Sequence, residues 1–249
     1  MTRPDLPETL ALVDDVEGWM SPGQGATLHE AARRCPPGGR IVEIGSFRGR
    51  STIVLATAAD PTVEIVAIDP HAGNDRGPGE IEGFVDAAAD DHAAFVANLE
   101  AAGVRDRVRH LRQFSDTAYA SVDGAVDVLY VDGAHRYRPA LADIESWGDR
   151  VADDGTLLIH DSFSSVGVTL AIARSLVLGG RFRYVGRSRS MAIYRADLEP
   201  GAAARGRNAA RQLAQIPWFA RNLGLKVLLT LGLGRALERT GRTPPEWPY

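Results

Sequence analysis

The sequence predicts an α/β fold: a doubly wound, Rossmann-like sheet of seven strands, mostly parallel, with an antiparallel hairpin at its edge. Three observations carry this. Short apolar runs alternate with helical patterns from residue 40 onward, and such alternation makes parallel sheets covered on both faces. A turn bearing two glycines, Gly45-Ser46-Phe47-Arg48-Gly49, follows the first apolar run. Only a few residues separate the last two runs, which suits a hairpin and not a crossover.

In chain order, residues 5–19 and 24–34 read as helices, broken at Ser21-Pro22-Gly23. Strands are expected at 40–44, 63–68, 108–111, 126–131, 156–160, 182–186 and 190–195. Helices fall between them at 51–59, 87–102, 138–151 and 165–178. Residues 71–86 hold four glycines and a proline just after the second strand. That is where α/β folds place ligands, although a plain surface loop reads the same way. Beyond the last strand, basic residues from Arg205 to Arg242 flank LGLKVLLTLGLG. This run is too short to span a bilayer. It reads as a helical tail that docks on the domain or on a second subunit, so a homo-oligomer is expected and no stable membrane span. The organisation expected is a helical lead-in over 1–38, a ligand-binding domain over 39–196 and the tail over 197–249.

Composition sets the outer bounds. A chain of 249 residues, 45% hydrophobic and 24% charged, suits one soluble domain with an appendage. A net charge of -4 argues against a nucleic-acid surface. The one cysteine, Cys35, excludes an intrachain disulfide and a cysteine zinc cluster. It reads as a small buried residue at a helix end. MTRPDLPETL places prolines and acids where a signal peptide needs an apolar core, so a cytoplasmic location is expected.

Three ligand readings compete at the glycine turn. Gly45 and Gly49 lack the middle glycine of a dinucleotide fingerprint and the spacing and lysine of a P-loop. An E-x-G-x-x-x-G turn for S-adenosylmethionine (SAM) fits, with Glu43, Gly45, Ser46 and Gly49 around the methionine part. Ser51 and Thr52, opening the next helix, can offer N–H groups and hydroxyls to the ligand carboxylate. A tight turn without ligand is the alternative. Asp69 ends the second strand, where a carboxylate accepts the ribose hydroxyls of a nucleoside, SAM or NAD alike. Phe114 and Ser115 follow the third strand and are placed to line adenine; Phe114 as core is the alternative.

Asp132 ends the fourth strand and His160-Asp161 the fifth. Neighbouring strands bring their tips together, and two clustered carboxylates favour a divalent cation between them. Asp161 as a helix cap is the competing reading. His135, three residues after Asp132, can face the same place and take a proton from a hydroxyl. His71, Arg76, Tyr137 and Arg138 are candidate rim contacts, whereas Trp147 reads as packing.

These residues resemble class I SAM-dependent methyltransferases, and among them metal-dependent small-molecule O-methyltransferases. EIGSFRGRS (43–51) is similar to the E-I-G-x-x-x-G-x-S turn of the catechol and caffeoyl-CoA enzymes. VDGAH (131–135) looks like their V-D-x-x-[KH]. EGWMSPGQGATLHEAA (17–32) is similar to the lead-in of the bacterial family containing macrolide-sugar O-methyltransferases and cephalosporin hydroxylase-like proteins. The likeness covers roughly residues 15–196. It implies SAM as cofactor, with Asp132 among the residues around it, and a class I methyltransferase architecture. It also implies Asp132 and Asp161 as ligands of magnesium or manganese, Asp132 and His135 as catalytic residues, and a saccharide hydroxyl as acceptor. A catechol-like phenol is the alternative acceptor, and a non-catalytic SAM-binding module the alternative function. In that family the residue before the second Asp tends to be Glu; His160 stands there, and as a ligand it would favour a transition metal.

Overall fold

The computed structural model describes residues 3–72 and 85–230. The glycine-rich loop from 73, with Arg76, and the tail beyond 230 lie outside the described residues. Seven strands form one sheet: β1 (Arg40–Ile44), β2 (Glu64–Ile68), β3 (Val108–Leu111), β4 (Val126–Val131), β5 (Val151–Ile159), β6 (Arg183–Ser188) and β7 (Met191–Arg195). Their order across the sheet is β3-β2-β1-β4-β5-β7-β6. The first five run parallel; β7 pairs antiparallel with both β5 and β6. The chain reverses its winding between β1 and β4, and the crevice at such a switch point is where ligands enter.

Alternation decides which face each residue serves. On β1, Val42 and Ile44 pack with Val66, Ile68, Leu129 and Val131 beneath α6 (Tyr137–Gly148) and α7 (Val166–Ser175). Ile41 packs on the other face with Ile65, Val128 and Leu158, against α2 (Pro22–Arg34), α3 (Arg50–Ala58) and α4 (Val85–Ala101). Both layers are mainly apolar at the strands, as parallel sheets require, with Glu43 the buried acid among them.

The lead-in is shorter in helix than its pattern suggests. Helix α1 covers Leu6–Ala11, and residues after it turn instead. Val13 N–H donates to the Leu10 carbonyl and Val16 N–H to that of Val13. These turns bury Val13 and Val16 against α2 and α3. Ser21 caps α2, Pro22 occupies its first turn, and Gln24 closes a capping box. Cys35 is buried at the C-cap, and burial pushes its thiol up to about 12.

The described part of the tail, α8 (Ala202–Leu213) and α9 (Ile216–Thr230), docks on this same chain through amide side chains. Asn208 accepts the N–H of Tyr184 at 2.7 Å and donates to the Phe182 carbonyl at 2.9 Å, so α8 caps the edge strand β6. Asn222 donates to the Phe163 carbonyl at 3.0 Å, and Gln212 takes the Tyr194 hydroxyl at 3.1 Å. No helix among the described residues is long and apolar enough to cross a membrane.

Asn208→Ala would strand two buried backbone groups. A cost of about 1–3 kcal/mol is expected, read as a lowered denaturant midpoint at unchanged slope. An unchanged midpoint would mean that α8 does not hold the edge.

Candidate active site

The carboxyl ends of β1, β2, β4 and β5 open into one cleft of about 1290 Å³. Its floor is set by a close approach. Gly45 leaves β1 with φ +87°, and a Cβ there would sit 2.2 Å from the Asp132 carbonyl oxygen. The tips of β1 and β4 can therefore meet only at glycine.

Of the residues expected around a cofactor, Gly45, Asp69, Phe114, Ser115 and Asp132 line the cleft. Asp69 Oδ2 accepts the Phe47 N–H at 2.8 Å, and Oδ1 accepts the His71 N–H at 2.7 Å. Each oxygen keeps a lone pair for a ligand hydroxyl. Phe114 is half exposed at the mouth. Glu43, Ser46, Gly49, Ser51 and Thr52 do not line the cleft. Glu43 is fully buried and accepts the hydroxyls of Ser51 and Thr52. Those two hydroxyls are thus spent inside the turn and are not offered to a ligand. Burial, only partly offset by these two bonds, lifts the Glu43 carboxyl to about 8. Gly49, also at φ +87°, lies too close to Leu99 for a side chain, 2.6 Å from its position. It is there for packing against α4, which carries Leu99 and Phe95.

The second group lies at β4 and β5. His160 N–H donates to the Val131 carbonyl at 2.9 Å, which locks the two tips together. Asp132 Oδ2 accepts the Tyr130 hydroxyl at 2.7 Å, and Oδ1 lies 3.1 Å from His160 Nδ1. Asp161 Oδ2 is 3.0 Å from His135 Nε2 and 4.0 Å from His160 Nδ1. Asp161 does not cap α7; its φ of +53° turns its side chain back to the cleft, and Ser165 occupies the cap position. His135 is about half exposed, with its backbone gripped from α7. Ser165 Oγ donates to the His135 carbonyl at 3.2 Å, and a Cβ on Gly167 would lie 2.2 Å from that same oxygen.

His160 is buried behind this pair. Its Nε2 lies 3.1 Å from the amide nitrogen of Gln24. Burial lowers its basicity, while Asp132, then Asp161 and the Trp19 carbonyl raise it, for a net rise to about 9. The Gln24 amide beside Nε2 favours a lone pair there, while the Trp19 carbonyl accepts from the ring and favours a proton. The expected divalent cation finds no support in this arrangement. The oxygens of the two carboxylates face Tyr130, His160 and His135. Among the described residues, no group of three or more His, Cys, Asp or Glu could hold a metal ion.

Several cleft residues escaped sequence reasoning. Asp143 is buried on α6, accepts the Ser115 hydroxyl, and is raised to about 6 by burial. Its signal was available: an acid on the helical face of Ala140, Ile144 and Trp147. Trp19 and Phe47 pack with tilted rings 5.3 Å apart, and both line the cleft. His71 is buried yet lines the cleft, its Nε2 2.7 Å from the Phe47 carbonyl, among Phe95, His92 and His110. Tyr137 does not line the cleft, Arg138 does, and buried Trp147 donates to the Ser115 carbonyl at 3.2 Å. Phe47, His71 and Asp161 all have positive φ, between 43° and 53°. Strained backbone of this kind gathers at ligand sites.

Residues 42–162 match the profile of a family described as a methyltransferase domain. Among curated proteins, the chain is 28% identical over 134 residues to the uncharacterized protein y4gI of Sinorhizobium fredii. That match covers 49% of this chain and 13% of the relative's length. A Corynebacterium glutamicum protein of known structure superposes with a TM-score of 0.56 at 13% identity, over 74% of this chain and 85% of that one. The O-methyltransferase TomG of Streptomyces achromogenes, involved in tomaymycin synthesis and solved with SAM, superposes at 0.50 with 18% identity, over 76% and 86%.

A carboxyl raised by burial binds its proton more tightly folded than unfolded. Relative to a Glu43→Gln variant, wild-type stability should therefore fall as pH rises from about 4.5 to about 8, then level off. Parallel denaturation midpoints across that range would contradict the buried acid.

Proposed function

Starting from the class I methyltransferase fold of this chain, we propose that it is a SAM-dependent O-methyltransferase acting on a hydroxyl of a small molecule. One observation carries this. A single cleft joins Asp69, beside the Gly45 turn, to the His135–Asp161 pair at the β4 and β5 tips. The first is a ribose-type carboxylate; the second is an imidazole oriented by a carboxylate, the arrangement of a general base. The cleft volume accommodates a nucleoside and an acceptor side by side.

In this reading the glycine turn and Asp69 hold SAM, with Phe114 and Ser115 on the adenine side. The acceptor oxygen attacks the methyl carbon in line with sulfur. The O–C bond forms as the C–S bond breaks, the electron pair returns to sulfur, and the hydroxyl proton passes to His135. Sulfonium is already a good leaving group, so the protein supplies alignment and proton removal. Trp19 and Phe47 exclude water from the mouth. Glu17, Arg138 and Lys226 reach the same cleft and give it a polar wall suited to a hydroxyl-rich acceptor such as a saccharide. No step is routed through a divalent cation.

Two measurements test this. Asp69→Ala should weaken SAM binding about 10- to 100-fold by calorimetry, as loss of hydrogen bonds to a charged group does. His135→Ala should bind SAM as wild type does, while methyl transfer to sugar acceptors falls about 10²- to 10⁴-fold. SAM binding without turnover on any hydroxyl acceptor would instead favour a SAM-binding module.

A further inference from the structure

Asp143 is a buried acid for which methyl transfer has no use. It stands on α6, only 5% exposed, yet it forms part of the cleft wall. Its Oδ1 accepts the Ser115 hydroxyl, and Ser115 is its one hydrogen-bond partner among the described residues. Oδ2 lies over Gly133, where a Cβ would stand 3.6 Å from it. Burial raises this carboxyl to about 6, so above neutral pH it is ionised and can only accept. The charged neighbour that acts on it, Asp116, is another acid. A carboxylate oxygen in a wall, without a protein donor, is costly unless a ligand brings one. Its place in the cleft selects that ligand group. In the order β3-β2-β1-β4-β5, Ser115 lies just past β3 and the His135–Asp161 pair at β4 and β5, with Asp69 past β2 between them. A nucleoside with its ribose at Asp69 and its sulfur toward His135 turns its base to Ser115 and Asp143. Adenine then offers its 6-amino group as a donor.

We propose that Asp143 is a specificity-determining residue for the nucleoside: its open oxygen accepts the 6-amino group of adenine, while Ser115 and Trp147 hold it in position. This deepens the methyl-transfer reading and rests on it for the presence of a nucleoside. The two holding residues act on one segment. Trp147, one turn along α6 from Asp143, donates from Nε1 to the Ser115 carbonyl at 3.2 Å, and Ser115 returns its hydroxyl to Asp143. The carboxylate therefore has one fixed orientation before any ligand arrives. Selection works by attraction and by repulsion. Adenine supplies the donor that Oδ2 lacks. A 6-oxo base such as hypoxanthine sets a carbonyl oxygen at that place, and two acceptors then face each other in a desolvated wall. A site that leaves a buried polar group unpaired rejects the wrong ligand far more strongly than an apolar pocket does.

The test is binding, not turnover. Calorimetry at about pH 8, above the carboxyl's value of about 6, compares S-adenosylhomocysteine with S-inosylhomocysteine, its 6-oxo counterpart. Wild type should bind the adenosyl compound about 100-fold more tightly. Asp143→Ala should lose most of that advantage: its affinity for the adenosyl compound falls, its affinity for the inosyl compound does not, and the ratio drops to about tenfold or less. A residue that only supports the fold would weaken both compounds alike and leave the ratio unchanged. Asp143→Asn keeps the volume and a bond to Ser115 but removes the charge, so its ratio should also fall, by about tenfold. It decides the matter if the alanine variant does not fold. A wild type that binds both compounds equally, or a wild-type ratio kept by a folded variant, would overturn the role of Asp143 and leave the methyl-transfer reading standing. A wild type that binds neither compound would overturn both.

Discussion

The backbone of Gly45 passes so close to Asp132 that no side chain fits between them. That approach joins the two halves of the cleft. The Ile44 carbonyl accepts the Asp132 N–H at 2.8 Å, and the Ile68 carbonyl accepts the Gly45 N–H at 2.8 Å. Strands β2, β1 and β4 are thereby pinned at their tips, and Asp69 and Asp132 fall on the two sides of one turn. An alanine at 45 would have to push the β1 and β4 tips apart. The sheet order matters to function through this one point.

Around that contact the polar groups are arranged in closed pairs. Glu43 is satisfied by Ser51 and Thr52 within its own turn. Asp69 holds the backbone of Phe47 and His71. Asp132 and Asp161 are met by Tyr130, His160 and His135. A buried carboxylate without a partner costs several kcal/mol, so each acid fixes a neighbour as well as itself. The strained φ values of Phe47, His71 and Asp161 are held by the same bonds. Rigidity of this kind suits a reaction whose demand is alignment more than chemical activation.

The N-terminal helices and the tail also belong to the site. Arg50 holds the Val16 carbonyl at 2.9 Å, and Arg48 links Glu17 to Asp91. These ties carry Trp19 over the mouth and Gln24 to His160. From the other end, Asn222 on α9 holds the Phe163 carbonyl, two residues past Asp161, and Lys226 reaches the cleft. Both appendages therefore contact the rim by which the sheet presents its chemistry.

By itself the sequence determined the alternation of strands and helices, the strand tips that carry Asp69, Asp132 and Asp161, and the glycines at the first turn. Those features are local: apolar period, turn chemistry and the polar residue that must end a buried strand. It also exposed Asp143, as an acid on an apolar helical face, to anyone reading that face. Only the tertiary structure decided what each polar side chain faces. Glu43, Ser51 and Thr52 close on one another, Asp161 turns from the helix to the cleft, and His71 goes inward. His160, next to Asp161 in the chain, meets Gln24, 136 residues away. The physical reason is that a hydrogen bond depends on which groups meet in space and with which atom. Neither the spacing along the chain nor the residue type fixes that before the sheet has formed.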